Sequence, residues 1–263
     1  MDLGLNGRTA IVCGASSGLG RATAAALAAE GCRLAIWSRG REGLETVATD
    51  LRDRFGAEVA VLLGDAAEPG NGARIAAEAT AAPGSIDIVV LNAGGPPAVE
   101  PAATDPTGWA LAFQSLVIDP VELATALLPS MRERRWGRVV AILSSGVRQP
   151  IPDLVYSNAG RGALTAWLKT TARAIAAEGV TLNGILPGRL DTPRIASLDR
   201  GRAEREDRPL ADVQDAQMAM IPAGRYGRPE ELAAFATFLC SAQAAYQTGT
   251  FTAIDGGMIV GLP

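Results

Sequence analysis

Seven short, almost wholly apolar runs recur along the chain, and each gap between them holds a helical pattern. The runs are TAIVCG (9–14), RLAIWS (33–38), EVAVLLG (58–64), DIVVLN (87–92), RVVAIL (138–143), VTLNGIL (180–186) and TFTAID (250–255). Strands apolar on both faces belong inside a sheet that is covered on both sides. The helical patterns fall at 18–30, 41–55, 71–82, 105–135, 154–178 and 228–241. Alternation at these lengths predicts βαβ units, hence an α/β fold with a doubly wound parallel sheet. No repeat or low-complexity linker interrupts it, so residues 1–263 are expected to form one domain.

Composition then removes whole classes of chemistry. The chain has no histidine, which excludes His-based acid–base catalysis, Ser-His-Asp triads and His-containing zinc sites. Cys13, Cys32 and Cys240 are scattered, form no CxxC pair and suggest no disulfide framework, and no metal site is predicted. A net charge of −4 gives no reason to expect nucleic acid or an anionic membrane as partner. The N-terminus lacks a basic segment followed by a long apolar stretch, and no run of about 18 apolar residues stands out, so the expected location is cytoplasmic.

The first strand runs into CGASSGLG, residues 13–20, and then an Ala-rich helix. Gly14, Gly18 and Gly20 allow a tight turn and close approach of backbone to a pyrophosphate, with Ser16, Ser17 and Leu19 completing the loop. The helix start adds free N–H groups and partial positive charge. A glycine pattern alone is weak, but between a strand and a helix at the start of a βαβ chain it points to a dinucleotide. The second strand ends in Ser38 and Arg39, where an acid would accept the ribose 2′-hydroxyl of NAD. A hydroxyl and a guanidinium suit a 2′-phosphate, so NADP is expected before NAD.

With these features in place the sequence resembles the short-chain dehydrogenase/reductase family, in the branch of 3-oxoacyl-carrier-protein reductases. The resemblance covers nearly the whole chain. After the glycine loop come Gly64-Asp65-Ala66, Asn92-Ala93-Gly94, Ser144 in AILSSG, Asn183 with Pro187-Gly188 in LNGILPG, GRPEELA, and TGTFTAIDGG. The resemblance implies a seven-stranded Rossmann sheet and a homotetramer or homodimer acting on a small-molecule substrate. It also implies cofactor contacts at Asp65, Ala66, Asn92, Ala93, Gly94, Pro187, Gly188 and Thr192.

The family's chemistry uses a Tyr, a Lys four residues later, a Ser thirteen residues before the Tyr, and an Asn on the preceding helix. Counting from Ser144 puts Ser157 in the Tyr position and Arg161 in the Lys position, and counting back from Asn183 agrees. Leu116 falls in the Asn position. Tyr156 lies one residue early, about 100° around a helix, and Lys169, the one lysine, lies two turns beyond Arg161. The catalytic candidates are therefore Ser144, Ser157, Arg161 and Tyr156, the last requiring an inward shift of loop 146–155. Arg161 is also a candidate for the nicotinamide ribose.

Three readings stay open. The first is an NADP(H)-dependent oxidoreductase acting on a ketone or 3-oxoacyl group with altered acid–base chemistry. The second is a cofactor-binding sensor or assembly partner without turnover. The third, ranked last because the glycine loop is kept, is a cofactor-independent enzyme similar to halohydrin dehalogenases. The charged segment 189–226 is the least regular stretch and is expected to form a substrate lid.

Overall fold

The computed structural model describes residues 1–81 and 84–261. Seven parallel strands form one sheet: β1 (Thr9–Cys13), β2 (Arg33–Ser38), β3 (Val59–Leu63), β4 (Ile88–Asn92), β5 (Gly137–Ile142), β6 (Val180–Pro187) and β7 (Phe251–Ile254). Their order is β3-β2-β1-β4-β5-β6-β7. The chain winds outward from β1 to β3, then returns to start β4 beside β1. That reversal opens a crevice at the C-terminal ends of β1 and β4, where ligands of open α/β sheets bind. The sheet is the doubly wound Rossmann arrangement that the apolar runs predicted.

The helices are α1 (Gly18–Ala29), α2 (Arg41–Phe55), α3 (Asn71–Ala81), α4 (Pro106–Phe113), α5 (Asp119–Glu133), α6 (Val155–Ile175), α7 (Pro193–Glu206), α8 (Leu210–Ala219) and α9 (Pro229–Cys240). The pattern expected to end at residue 82 runs past the described residues there. Two apolar cores cover the two faces of the sheet. One takes Leu27, Leu44, Leu51, Leu232 and Leu239 against Val12, Ile36 and Val90. The other takes Ile75, Leu123, Leu127, Leu164 and Leu168 against Ile11, Val89 and Val139.

The stretch 105–135 runs as one helix from Pro106 to Glu133, with a π turn, Gln114–Ile118, between α4 and α5. Pro120 has no N–H to give to the Leu116 carbonyl, and its ring crowds that carbonyl, so the ladder widens there. One expectation is corrected: the segment 189–226 is not irregular, since it contains α7 and α8. Thr192 caps α7 by accepting a hydrogen bond from the Ile195 N–H at 3.3 Å, and Pro193 opens it.

Pro106–Glu133 is apolar enough by composition to cross a membrane, with mean hydropathy 1.5 over its best window. Packing accounts for part of this, because Leu116, Leu123, Leu127 and Leu128 are buried inside the fold. Leu111, Phe113 and Ile118 remain exposed.

Candidate active site

The glycine loop leaves β1 through Gly14, whose φ is +61°, and enters α1 through Gly18, whose φ is +54°. L side chains rarely adopt such backbone angles. Gly20 is required for a different reason: a Cβ there would strike the Gly14 carbonyl. Asn92, at the end of β4, donates to the Cys13 carbonyl at 3.2 Å and so ties the loop to the neighbouring strand. Ser16 lies against Gly43 of α2, and Leu19 packs on the core. Ser17 stands at the N-cap of α1 but its hydroxyl caps nothing, and the first turn holds no acid. The N–H groups of this helix start, with its positive dipole end, thus remain free to meet an anion.

At the tip of β2 the Ser38 hydroxyl is buried without a hydrogen-bond partner. Arg39 beside it is largely exposed, with its guanidinium 3.8 Å from the Asp65 carboxylate. Asp65 also accepts from the Ala67 N–H at 3.0 Å, which shapes the turn after β3, and Ala66 packs against the core. A buried hydroxyl with no partner is costly unless a ligand supplies one. The donors at Ser38 and Arg39 fit a phosphate monoester on the adenosine ribose.

The far end of the crevice is built on β4, β5 and β6. Arg161, on the second turn of α6, is only 8% exposed. Its guanidinium donates to the Ile142 carbonyl at 2.9 Å, the Ala93 carbonyl at 3.0 Å and the Ser157 hydroxyl oxygen at 3.3 Å. Burial first, and the charge of Arg194 second, bring Arg161 down to about 10, so it still carries its charge at neutral pH. Ser144, directly after Leu143 at the end of β5, accepts from the Gly146 N–H at 3.0 Å, leaving its own proton free to donate. Gly94 has open space where a Cβ would stand. Gly188 packs so tightly on Asp255 that a Cβ would lie 2.7 Å from its backbone, which fixes the path of the chain after Pro187. Thr192 reaches the glycine loop: its side chain lies 3.5 Å from where a Cβ of Gly18 would be. Helix α7 therefore begins beside the glycine loop, and it is held there from behind. Asp199 of α7 pairs with Arg189 and accepts from the Tyr226 hydroxyl at 2.9 Å.

Tyr156 faces away from Ser144 and Arg161, toward α4. Its hydroxyl accepts from the Asp105 N–H at 3.0 Å, and its ring meets Trp109 edge-on at 4.8 Å between centroids. An inward shift is opposed by Asn158, which clamps the preceding loop through both backbone groups of Ile151. Leu116 is fully buried and would meet a Cβ at Gly160 at 3.0 Å, so this position is apolar filling. Lys169 donates to the Gly249 carbonyl at 2.7 Å, away from Arg161. The three cysteines are buried; burial raises all their thiols, that of Cys32 to about 12, so they are not nucleophiles.

One site residue escaped the sequence reading. Arg194, in the first turn of α7, donates to the Pro96 carbonyl at 2.6 Å in the loop after β4. The available signal was a cation directly after Thr192-Pro193, at a helix start where cations are disfavoured.

Comparison with known proteins places this geometry. A family model described as enoyl-(acyl carrier protein) reductase matches residues 14–259. The chain belongs to the short-chain dehydrogenase/reductase family. Within the family it is 30% identical to the 3-oxoacyl-[acyl-carrier-protein] reductase of Escherichia coli K12 over 257 residues, covering 97% of this chain and 99% of that protein. A putative ketoacyl reductase of Streptomyces coelicolor is 28% identical over 251 residues, covering 95% and 96%. Among solved structures, L-sorbose reductase from Gluconobacter frateurii, complexed with NADPH and L-sorbose, superposes with a TM-score of 0.94 at 30% identity over the full length of both chains.

Proposed function

We propose that this chain is an NADP(H)-dependent oxidoreductase that interconverts a carbonyl and an alcohol, with Ser157 and Arg161 in the positions of the family's Tyr and Lys. Cofactor preference rests on the partnerless Ser38 hydroxyl and on Arg39, and the NADPH-bound sorbose reductase supports it. Gly14 to Gly20 and the start of α1 would hold the pyrophosphate, Ser38 and Arg39 the 2′-phosphate, and Asp65 and Ala66 the adenine side. Asn92, Ala93, Gly94, Pro187, Gly188 and Thr192 would line the ribose and carboxamide side. When bound, NADPH supplies the hydride.

The observation that carries the reading is the guanidinium of Arg161, buried at the ends of β4 and β5 and bonded to Ser157. Arg161 orients ribose hydroxyls and stabilises negative charge growing on the substrate oxygen. Because Ser157 accepts from Arg161, its own proton points away and can be donated to that oxygen. Ser144 is likewise an acceptor toward Gly146, which frees its proton for the same atom. A serine is a far weaker acid than a tyrosine of pKa about 10, so the proton has to be replenished from water. Loss of an optimal general acid costs roughly 10²–10⁴ in rate and leaves hydride transfer possible.

The substrate is a small ketone or 3-oxoacyl compound, covered by the lid that starts at α7. The protein works in the cytoplasm as a homo-oligomer, with exposed Leu111, Phe113 and Ile118 on the α4 side available for subunit contact. Two observations favour a second reading, binding without turnover: Leu116 removes the water-holding Asn, and Tyr156 is tied down. Fluorescence titration with NADPH and NADH, followed by NADPH oxidation with a panel of ketones and acyl thioesters, separates the two. Turnover by the native chain supports the oxidoreductase. Binding without turnover, with activity gained in the Ser157→Tyr, Arg161→Lys double variant, supports the second reading.

A further inference from the structure

Arg161 and Arg194 approach the same short loop from two sides. Arg161 donates to the Ala93 carbonyl from below, and Arg194 donates to the Pro96 carbonyl, three residues on, from the lid. Gly95 between them makes room: a Cβ there would lie 2.9 Å from an Arg194 nitrogen. Among the described residues no carboxylate lies within 4 Å of either guanidinium, although thirteen such pairs occur elsewhere in the molecule. The two charges are close enough that Arg194 lowers the affinity of Arg161 for its proton. Arg194 also stands in the first turn of α7, where the helix dipole is already positive.

Three positive contributions thus meet at this loop without a protein carboxylate beside them, Arg161 buried below and Arg194 exposed to solvent above. Buried Arg138 is the instructive contrast. It bonds three carbonyls, one of them that of Ser241 at the negative C-terminal end of α9, and its guanidinium stacks on Trp136. Among the described residues no aromatic face stacks on Arg161, whose partners are the Ile142 and Ala93 carbonyls and the Ser157 hydroxyl. Of its five donors three are used, and Arg194 uses one, which leaves a planar guanidinium edge open. The pyrophosphate does not account for the charge of Arg161, because its loop follows β1, whereas Arg161 bonds the end of β5, two strands away, about 10 Å at ordinary strand spacing. Arg194 lies nearer that loop, since Thr192 reaches Gly18, which is why the test below measures NADPH affinity as well.

We propose that the substrate carries a carboxylate, held by the open edge of Arg194 above a floor made positive by Arg161, so that the favoured substrates are oxo acids or hydroxy acids. The inference rests on the oxidoreductase reading of this crevice and names its substrate class. A planar carboxylate matches a guanidinium edge with two parallel hydrogen bonds.

The test compares 2-, 3- and 4-oxo acids with their methyl esters as substrates for NADPH oxidation, in the native protein and in Arg194→Gln and Arg194→Lys. Calorimetric binding of the same acids and esters is measured with and without NADPH, alongside the NADPH affinity of each variant. At least one acid is expected to exceed its ester about 10–100-fold in kcat/KM, the range for a charge-assisted hydrogen bond. Arg194→Gln should bring that ratio close to one, and Arg194→Lys should restore part of it. NADPH oxidation with no preference for any acid would overturn the proposal and leave the oxidoreductase reading standing. Acid binding that depends on Arg194 without turnover would uphold the carboxylate site and sink the oxidoreductase. Weakened NADPH binding in Arg194→Gln with the acid–ester ratio unchanged would make Arg194 a cofactor clasp and overturn the proposal.

Discussion

At the scale of single residues, the proposed nucleotide choice rests on Ser38 and Arg39. Removing the Arg39 guanidinium takes away one charge-assisted contact to a 2′-phosphate, worth about 1.5–3 kcal/mol. Arg39→Ala should therefore weaken NADPH binding about 10–100-fold and leave NADH binding nearly unchanged, as read by fluorescence titration. Equal losses for both nucleotides would remove the 2′-phosphate from the account. Their place at the tip of β2 was legible because a strand end is fixed by local pattern. Tyr156 was legible only as a question. Which way it faces depends on a one-residue step around a helix and on Asp105 and Trp109, fifty positions away in sequence, which no local pattern reveals. Arg194 was missed for the same reason, since its partner Pro96 comes from the other half of the chain.

At the scale of elements, the strands were read correctly because apolar runs record burial on both faces. The segment 189–226 was misread as irregular because α7 is rich in charge and buries few residues, so hydrophobic periodicity is faint. Its stability comes from Asp199, buried against Arg189 and Tyr226. Asp199→Ala would leave Arg189 without its partner, a change costing about 3–5 kcal/mol for a buried pair. Amide exchange across 193–206 should then accelerate while the sheet stays protected; unchanged protection of α7 would show that the lid is held by other contacts. The junction at Asp119 carries a pH dependence. Burial chiefly, with Glu122 and Asp65 adding, pushes its carboxyl up to about 7, although Asn71 donates to it at 2.9 Å. The unfolded chain ionises this group near 4, so between roughly pH 4 and 7 the folded form holds more protons. Stability from this site therefore falls as pH rises through that window and is level above it. Asp119→Asn should gain on the native protein by on the order of 2–4 kcal/mol in urea unfolding between pH 4 and 8. A constant difference across that range would contradict the assignment.

At the scale of the whole molecule, the parallel sheet brings the candidate site residues to one edge. The glycine loop on β1, Asn92 on β4, Ser144 after β5 and Pro187 on β6 all end at the C-terminal side of parallel strands. That convergence follows from parallel winding alone, so it was available from the alternation of runs before any side chain was placed. The position of α7 beside the glycine loop was not available, since it depends on Thr192 meeting Gly18 across the fold. Arg161, not Tyr156, is the residue proposed to sustain hydride transfer. The direct measurement is NADPH oxidation with an accepted carbonyl substrate in the native chain, Arg161→Ala and Tyr156→Phe, each shown to bind NADPH. That role for Arg161 requires turnover in the native chain, a loss of at least about 10²-fold in Arg161→Ala, and near-native turnover in Tyr156→Phe. Turnover that survives Arg161→Ala but disappears in Tyr156→Phe would contradict it.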